Sequence, residues 1–455
     1  MKAEKTLIMI ALLMMSLTLL ADASTAKASK TVHFSNPVPA SSATSHGDWS
    51  QTYGGSNDEF AYSVVQTSDG GYALAGFTDS SGAGGFDFYL VKTDSAGNQN
   101  WTQTYGGSGD DFAYSLVQTS DGGYALAGYT ESFGAGYYDF YLVKTNSAGI
   151  LQWSKTYGGP GDDEARSLIQ TSDGGYALAG WTNSFGGGGY SFYLVKTDST
   201  GSMLWNRTYG SAGDNQAYSV IQTSDGGYAL AGYTDSSGHG GNDFYLVKTD
   251  SAGNMTWNMT YGGIGDDEAY SLIQTSDGDY ALAGYTTSSS AGVDNFWLVK
   301  TNSTGAMQWS QTYGSPGDSE AYSLVQTSDG DYALGGFTDT LGAGGYDVWL
   351  VKTDSTGGVR WSQTYGGSSD DFAYSLVQTS DGGYALAGFT DSSGAGGNDF
   401  YLVKVDSTGA SSSSPGLNWS SIEGYVIIAA IIIIIIAAVL LILSRVGGRK
   451  GKGKI

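Results

Sequence analysis

Residues 101–152 read WTQTYGGSGDDFAYSLVQTSDGGYALAGYTESFGAGYYDFYLVKTNSAGILQ, and this stretch recurs along the chain seven times at a constant spacing of 52 residues. Trp49, Trp101, Trp153, Trp205, Trp257, Trp309 and Trp361 open the copies, with no insertion or deletion between neighbours. A fixed period near 50 in a chain of 455 residues points to one repeat architecture rather than to several unrelated domains.

Each copy contains four strand candidates separated by turn signals. In the first copy Trp49 to Tyr53 is a short strand, followed by a Gly and Asp loop over 54–59. Ala61 to Thr67 is rich in β-formers and ends at Ser68-Asp69-Gly70-Gly71, where Asp-Gly between apolar runs is the strongest short hairpin signal. Tyr72 to Thr78 returns, a Gly and Ser loop follows, and Phe88 to Thr93 leads through Asp94-Ser95-Ala96-Gly97 into the next Trp strand. Four antiparallel strands per repeat make one propeller blade. The strands are apolar or small on both faces, as a sheet sandwiched between two neighbours requires. Gly76 and the alanines are expected to let the next sheet approach, while Tyr, Phe and Trp fill the wider outer wedge.

The phase of the array predicts its closure. The chain enters at a Trp strand before any complete blade and leaves after Tyr401 to Val405 without another. The seventh blade therefore lacks its outer strand, and Trp49 to Tyr53 is the spare that fits. The predicted fold is all-β, a seven-bladed β-propeller with four antiparallel strands per blade over residues 49–410, closed by its N-terminal strand so that no edge stays open. A β-solenoid is the alternative, but it needs distinct polar caps, and none is visible.

The flanks predict location. Residues 1–23 carry Lys2 and Lys5, an apolar run from Leu7 to Leu20 and the small-x-small sequence Ala21-Asp22-Ala23, the pattern of a signal peptide. Residues 24–48 read as a linker. After a spacer over 411–424, Tyr425 to Leu443 supplies 19 uncharged residues, about 28 Å as a helix and enough for a transmembrane span. The tail 444–455 contains Arg445, Arg449, Lys450, Lys452 and Lys454, a basic flank that stays on the cytoplasmic side. A single-pass protein of the cell membrane follows, with the propeller extracellular and the C-terminus cytoplasmic.

Between Trp49 and Ala410 the chain holds 40 acidic residues against 11 basic ones, a net charge of −29. Such a field repels nucleic acid and anionic lipid and favours cations or basic partners. There is no Cys, which excludes disulfides and thiolate sites. Histidine occurs only at His33, His46 and His239, so neither a His-dependent triad nor a His metal cluster can form.

Asp58, Asp110, Asp162, Asp214, Asp266, Asp318 and Asp370 share one loop position. Clustered with Gly-rich carbonyls they have the oxygen chemistry for Ca²⁺, yet a feature repeated in every blade is better read as a turn residue that accepts loop N–H groups. No other cofactor is expected. The recurring lysines, Lys92 and its equivalents, should pair with a carboxylate of their own or the adjacent blade, and Asp69 belongs to the hairpin. A unique site is better sought where copies disagree. The loop between second and third strands varies most, with Phe133, Tyr137 and Tyr138 in copy two, Phe185 and Tyr190 in copy three and His239 in copy four. Arg166 stands where other copies have Tyr. Sequons at Asn100, Asn206, Asn254, Asn258, Asn302 and Asn418 are glycosylation candidates on an exported chain.

Taken as a pattern, GG-x-x-D-D-x-A-Y-S, DGGYALAG-x-T and DFYLVKTDS-x-G before Trp, the repeat resembles the SBBP-type β-propeller repeat of bacterial and archaeal secreted and surface proteins. That resemblance covers Trp49 to about Ala410 and implies an extracellular propeller without supplying catalytic residues. The expectation is a non-catalytic, membrane-anchored binding or adhesion module for an extracellular protein or glycan. A structural envelope component is the alternative, and an extracellular hydrolase a distant third.

Overall fold

The seven segments Glu59–Gln66, Asp111–Gln118, Asp163–Gln170, Asn215–Gln222, Asp267–Gln274, Ser319–Gln326 and Asp371–Gln378 are the innermost strands of seven four-stranded antiparallel sheets. The computed structural model describes residues 48–288, 293–314 and 317–409. The signal peptide, almost all of the linker, the spacer, the transmembrane segment, the basic tail and Asn418 lie outside the described residues. Among the described residues there is no helix, and so none long and apolar enough to cross a membrane.

The first blade is β2 (Glu59–Gln66), β3 (Tyr72–Thr78), β4 (Asp87–Thr93) and β5 (Gln99–Tyr105), hydrogen-bonded in that order from channel to rim. Blades two to six repeat the order. The seventh consists of β26 (Asp371–Gln378), β27 (Tyr384–Thr390) and β28 (Asp399–Val405), completed by β1 (Trp49–Tyr53). Trp49 stands opposite Lys404 and Tyr53 opposite Phe400. The seven-bladed propeller read from the repeat, and its closure by the N-terminal strand, are present.

Burial follows from position in the blade. Every residue of β3 and β4 is buried, because both faces meet a neighbouring sheet, whereas the beginning of β5 is exposed. Between blades one and two, Ala73, Ala75, Phe88 and Leu90 pack against Leu116, Tyr124, Leu126 and Tyr141. Trp101 meets Tyr124 edge-on with ring centres 5.9 Å apart, and the other six Trp–Tyr pairs repeat the contact.

Two details differ from the sequence reading. The inner strand begins at Glu59 inside the supposed loop, because its ladder with β3 starts at Glu59 opposite Thr78. Gly76 serves its own blade rather than the next: the register shifts between Ala61 and Ser63, and a Cβ on Gly76 would collide with the Phe60 carbonyl. The bulge needs the glycine, as close backbone approach generally does.

The inner strands also join the blades. Leu116, back in register just past the bulge, donates its N–H to Ser63 Oγ of the preceding blade at 3.1 Å. The same bond recurs around the ring, including Val64 N–H to Ser375 Oγ at 3.1 Å across the closure. Gln66 Oε1 likewise accepts the Ser380 N–H at 2.7 Å across the closure, and the Tyr53 hydroxyl donates to the Gly97 carbonyl at 2.6 Å. The closing junction thus uses the same serine and glutamine bonds as the other six, and the tyrosine bond that five of them share; at the junction of blades six and seven the equivalent Tyr365 hydroxyl has no partner among the described residues. Lys92 is buried and reaches Asp69 of its own hairpin at 2.9 Å, as expected of a lysine in so acidic a chain.

Candidate functional site: the channel mouth

The bulge turns one side chain per blade into the channel. Tyr62 lies 4.9 Å from Tyr114 and 4.7 Å from Tyr374, ring centre to ring centre. Tyr374 meets Tyr322 at 5.0 Å, Tyr322 meets Tyr270 at 4.5 Å and Tyr270 meets Tyr218 at 5.0 Å. Arg166 completes the circle, its guanidinium carbon 4.0 Å from the centre of Tyr114 and 5.6 Å from that of Tyr218. Six tyrosines and one arginine therefore close the channel. Burial pushes the Tyr62 and Tyr218 hydroxyls up to about 12. Burial opposes the charge on Arg166, but Tyr114 and the Glu164 carboxylate, 2.9 Å away, outweigh it and raise its pKa.

Two residues nearer the start of each inner strand the copies divide. Blades seven, one and two present Phe372, Phe60 and Phe112, and blades three to six present Glu164, Gln216, Glu268 and Glu320. The phenylalanines form an aromatic arc: Phe60 lies 4.4 Å from Phe389, Phe77 4.2 Å from Phe112, and Phe372 stacks on Phe389 at 4.8 Å. Across the mouth, Glu268 accepts from Asn242 Nδ2 at 2.6 Å and from the Tyr270 hydroxyl at 3.1 Å. Glu320 accepts from the Tyr322 hydroxyl at 2.9 Å. Burial raises both acids, and Asp294 and Glu268 help to carry Glu320 to about 7. The sequence reading singled out Arg166 and passed over this position. The signal was present, since the residue two before each inner Tyr or Arg is the one that alternates between Phe and Glu or Gln.

The variable loops surround the mouth. Asp58 N–H donates to Asp79 Oδ1 at 2.8 Å, which places the acidic loop and the variable loop on one face. Tyr138 packs on Tyr129 at 4.6 Å and Tyr190 on Trp181 at 4.5 Å, beside Glu164. Phe133 and Phe185 lean on Tyr141 and Tyr193 of their own blades, at 5.6 Å in each case, and remain exposed, as does Tyr137. His239 donates its backbone N–H to Asp243 at 2.7 Å. The loop aspartates fasten the loops of the preceding blade: Asp58 accepts from Asn398 N–H at 2.9 Å, Asp110 from Phe86, Asp214 from Tyr190, Asp266 from Asn242, Asp318 from Asp294 and Asp370 from Tyr346. Asp162 accepts instead from the Asn183 side chain. Asn100, Asn206 and Asn258 stand on outer strands, and Asn254 and Asn302 in turns between third and fourth strands.

Below the rim, each junction between blades brings together the first residue of a third strand and the first residue of the next inner strand. Asp87 meets Asp111, Asp139 meets Asp163, Asp243 meets Asp267, Asp347 meets Asp371 and Asp399 meets Glu59 across one glycine each. Ser191 with Asn215 and Asn295 with Ser319 occupy the remaining two junctions. All fourteen side chains are buried. Burial, aided by the facing acid, raises Asp87, Asp139, Asp243 and Asp399, and takes Asp347 to about 6.

No family model matches the sequence, and no curated protein matches it. Among solved structures, the WD40 domain of Pan2 from Neurospora crassa is similar with a TM-score of 0.49 and 11% identity, over 76% of this chain and 88% of that one. Sqt1 from Chaetomium thermophilum gives 0.44 and 12% over 80% and 87%. A puromycin hydrolase gives 0.48 and 13%, over 79% of this chain and 55% of its own.

Proposed function

We propose that the protein is a non-catalytic binding module of the cell surface, anchored by its C-terminal segment, which takes an extracellular protein or glycan at the channel mouth. The observation that carries this reading is the division of the mouth. Seven nearly identical blades need no such division for stability, yet Phe60, Phe112 and Phe372 line one arc while Glu164, Glu268 and Glu320 line the other. Aromatic faces beside acids suit a ligand with an apolar or sugar face and cationic or hydroxyl groups. The closed tyrosine ring beneath gives the mouth a floor.

Specific, saturable binding by the soluble part, residues 24–415, on glycan arrays or to candidate surface proteins supports the reading; its absence removes it. A structural role is favoured by a different feature. Ile150, Leu151, Met203, Leu204, Met255 and Met307 are exposed at the outer strands of blades two to five, an apolar edge suited to lateral packing. Ordered self-assembly without ligand would support that second reading.

A further inference from the structure

Among the described residues no three His, Asp or Glu side chains are placed to share an ion; the buried carboxylates come in twos. They are also kept and lost in twos. Five blade junctions hold two acids, two junctions hold none, and no junction holds a single one. A lone carboxylate in each place would be enough to fix a turn, so the joint presence and joint loss point to something the two acids share.

The junction of blades four and five shows what is missing. Asp243 is 1% exposed; its Oδ2 accepts the His239 N–H, while its Oδ1 has no hydrogen-bond partner. That free oxygen and Asp267 Oδ2 both lie within 2.7 Å of the point where a Cβ of Gly262 would stand, so the two carboxylates face each other over the glycine. A groove of about 320 Å³ reaches Asp267 from outside, lined also by Gly262, Gly263, Thr286, Ser288 and Trp297. An unpaired buried carboxylate beside a second one is costly until a positive charge joins them. Asp267 Oδ2 accepts the Gly263 N–H at 2.9 Å and the Ser288 hydroxyl at 2.7 Å, so the oxygens gathered here are two carboxylates and a hydroxyl, the hard donors that Ca²⁺ prefers.

We propose that the five two-acid junctions each hold a hard divalent cation of the calcium class between their carboxylates, and that the two neutral junctions hold none. These sites are distinct from Asp58 and its equivalents, which accept N–H groups of the neighbouring loops.

The test uses the full chain in detergent, stripped with chelator and dialysed to equilibrium against radioactive Ca²⁺, beside the variant D243N/D267S. That variant copies the Asn295 and Ser319 pair which the chain itself uses one junction further on, and circular dichroism checks its fold. The reverse variant, S191D/N215D, makes a two-acid junction where there is none and keeps the test open if the first fails to fold. The expected result is about five tightly held ions in the parent, one fewer in D243N/D267S and one more in S191D/N215D, with a chelator-induced drop in unfolding midpoint that follows the same order. Equal bound calcium in parent and variants, whether zero or more, overturns the proposal. In that case the facing acids share protons.

Discussion

The guanidinium of Arg166 lies 4.0 Å from the centre of the Tyr114 ring and 2.9 Å from the Glu164 carboxylate, in a circle where every other blade contributes a tyrosine. Glu164 is 6% exposed, and removing one partner of a buried ion pair leaves the other charge uncompensated. Arg166→Met is therefore expected to lower unfolding free energy by about 3 kcal/mol, read from urea denaturation. Adding Glu164→Gln, which imitates Gln216 in the next blade, should restore most of that loss. Independent, additive effects of the two changes would show that the pair is not coupled.

Glu320 gives the mouth a pH dependence of definite sign. Its folded pKa of about 7 lies above the ordinary 4.5, so the folded protein holds a proton that the unfolded chain releases. The associated stability is present below pH 4.5 and is lost as pH rises through 7, a change of up to about 3 kcal/mol. Glu320→Gln should match the parent near pH 4 and exceed it at pH 8 in thermal unfolding. A parallel pH profile for both proteins would contradict this origin.

Much of this architecture was legible in the sequence because the repeat fixes it. The 52-residue spacing of the tryptophans and the strand missing after Val405 already specify seven blades and the role of Trp49 to Tyr53. Lys92 was legible for an electrostatic reason, since a buried lysine among so many acids must find one. Gly76 was misread because sequence spacing does not show a bulge: only the register shift at Ala61 and Ser63 reveals that the Phe60 carbonyl occupies the space. The mouth was missed for a related reason. Phe60 and Glu164 occupy one repeat position, but which positions face the channel depends on that same bulge. The Asp87 and Asp111 pair joins consecutive blades, so no single repeat contains both halves of the contact.

The serine bonds between blades predict a particular loss. Leu376 N–H, on the innermost strand just past its bulge, donates to Ser323 Oγ at 3.0 Å. Ser323→Ala leaves that donor at a part-buried interface without its acceptor, at a cost of about 1–3 kcal/mol. Ser68→Ala is the control, because Ser68 donates only its backbone N–H, to Gln118 at 2.8 Å; it should stay within about 0.5 kcal/mol of the parent.

Ring closure is measurable by hydrogen exchange. β28 is covered by β1, so amides over 399–405 should exchange as slowly as those over 347–353, which the fourth strand of blade six covers. Removing residues 49–53 uncovers β28 and should make that segment exchange fast, with a tendency to associate through the open edge. Fast exchange over 399–405 in the intact chain would contradict closure.

The binding role rests on the two arcs of the mouth, and one comparison tests it most directly. Soluble propeller and its E268Q/E320Q variant are titrated with the ligand that the array or surface-protein screen returns, with F60A/F372A as the probe of the opposite arc. The account predicts at least tenfold weaker binding in both variants, about 1.4 kcal/mol or more, with unchanged circular dichroism. Undiminished affinity in both would place the ligand elsewhere and contradict the assignment of the mouth.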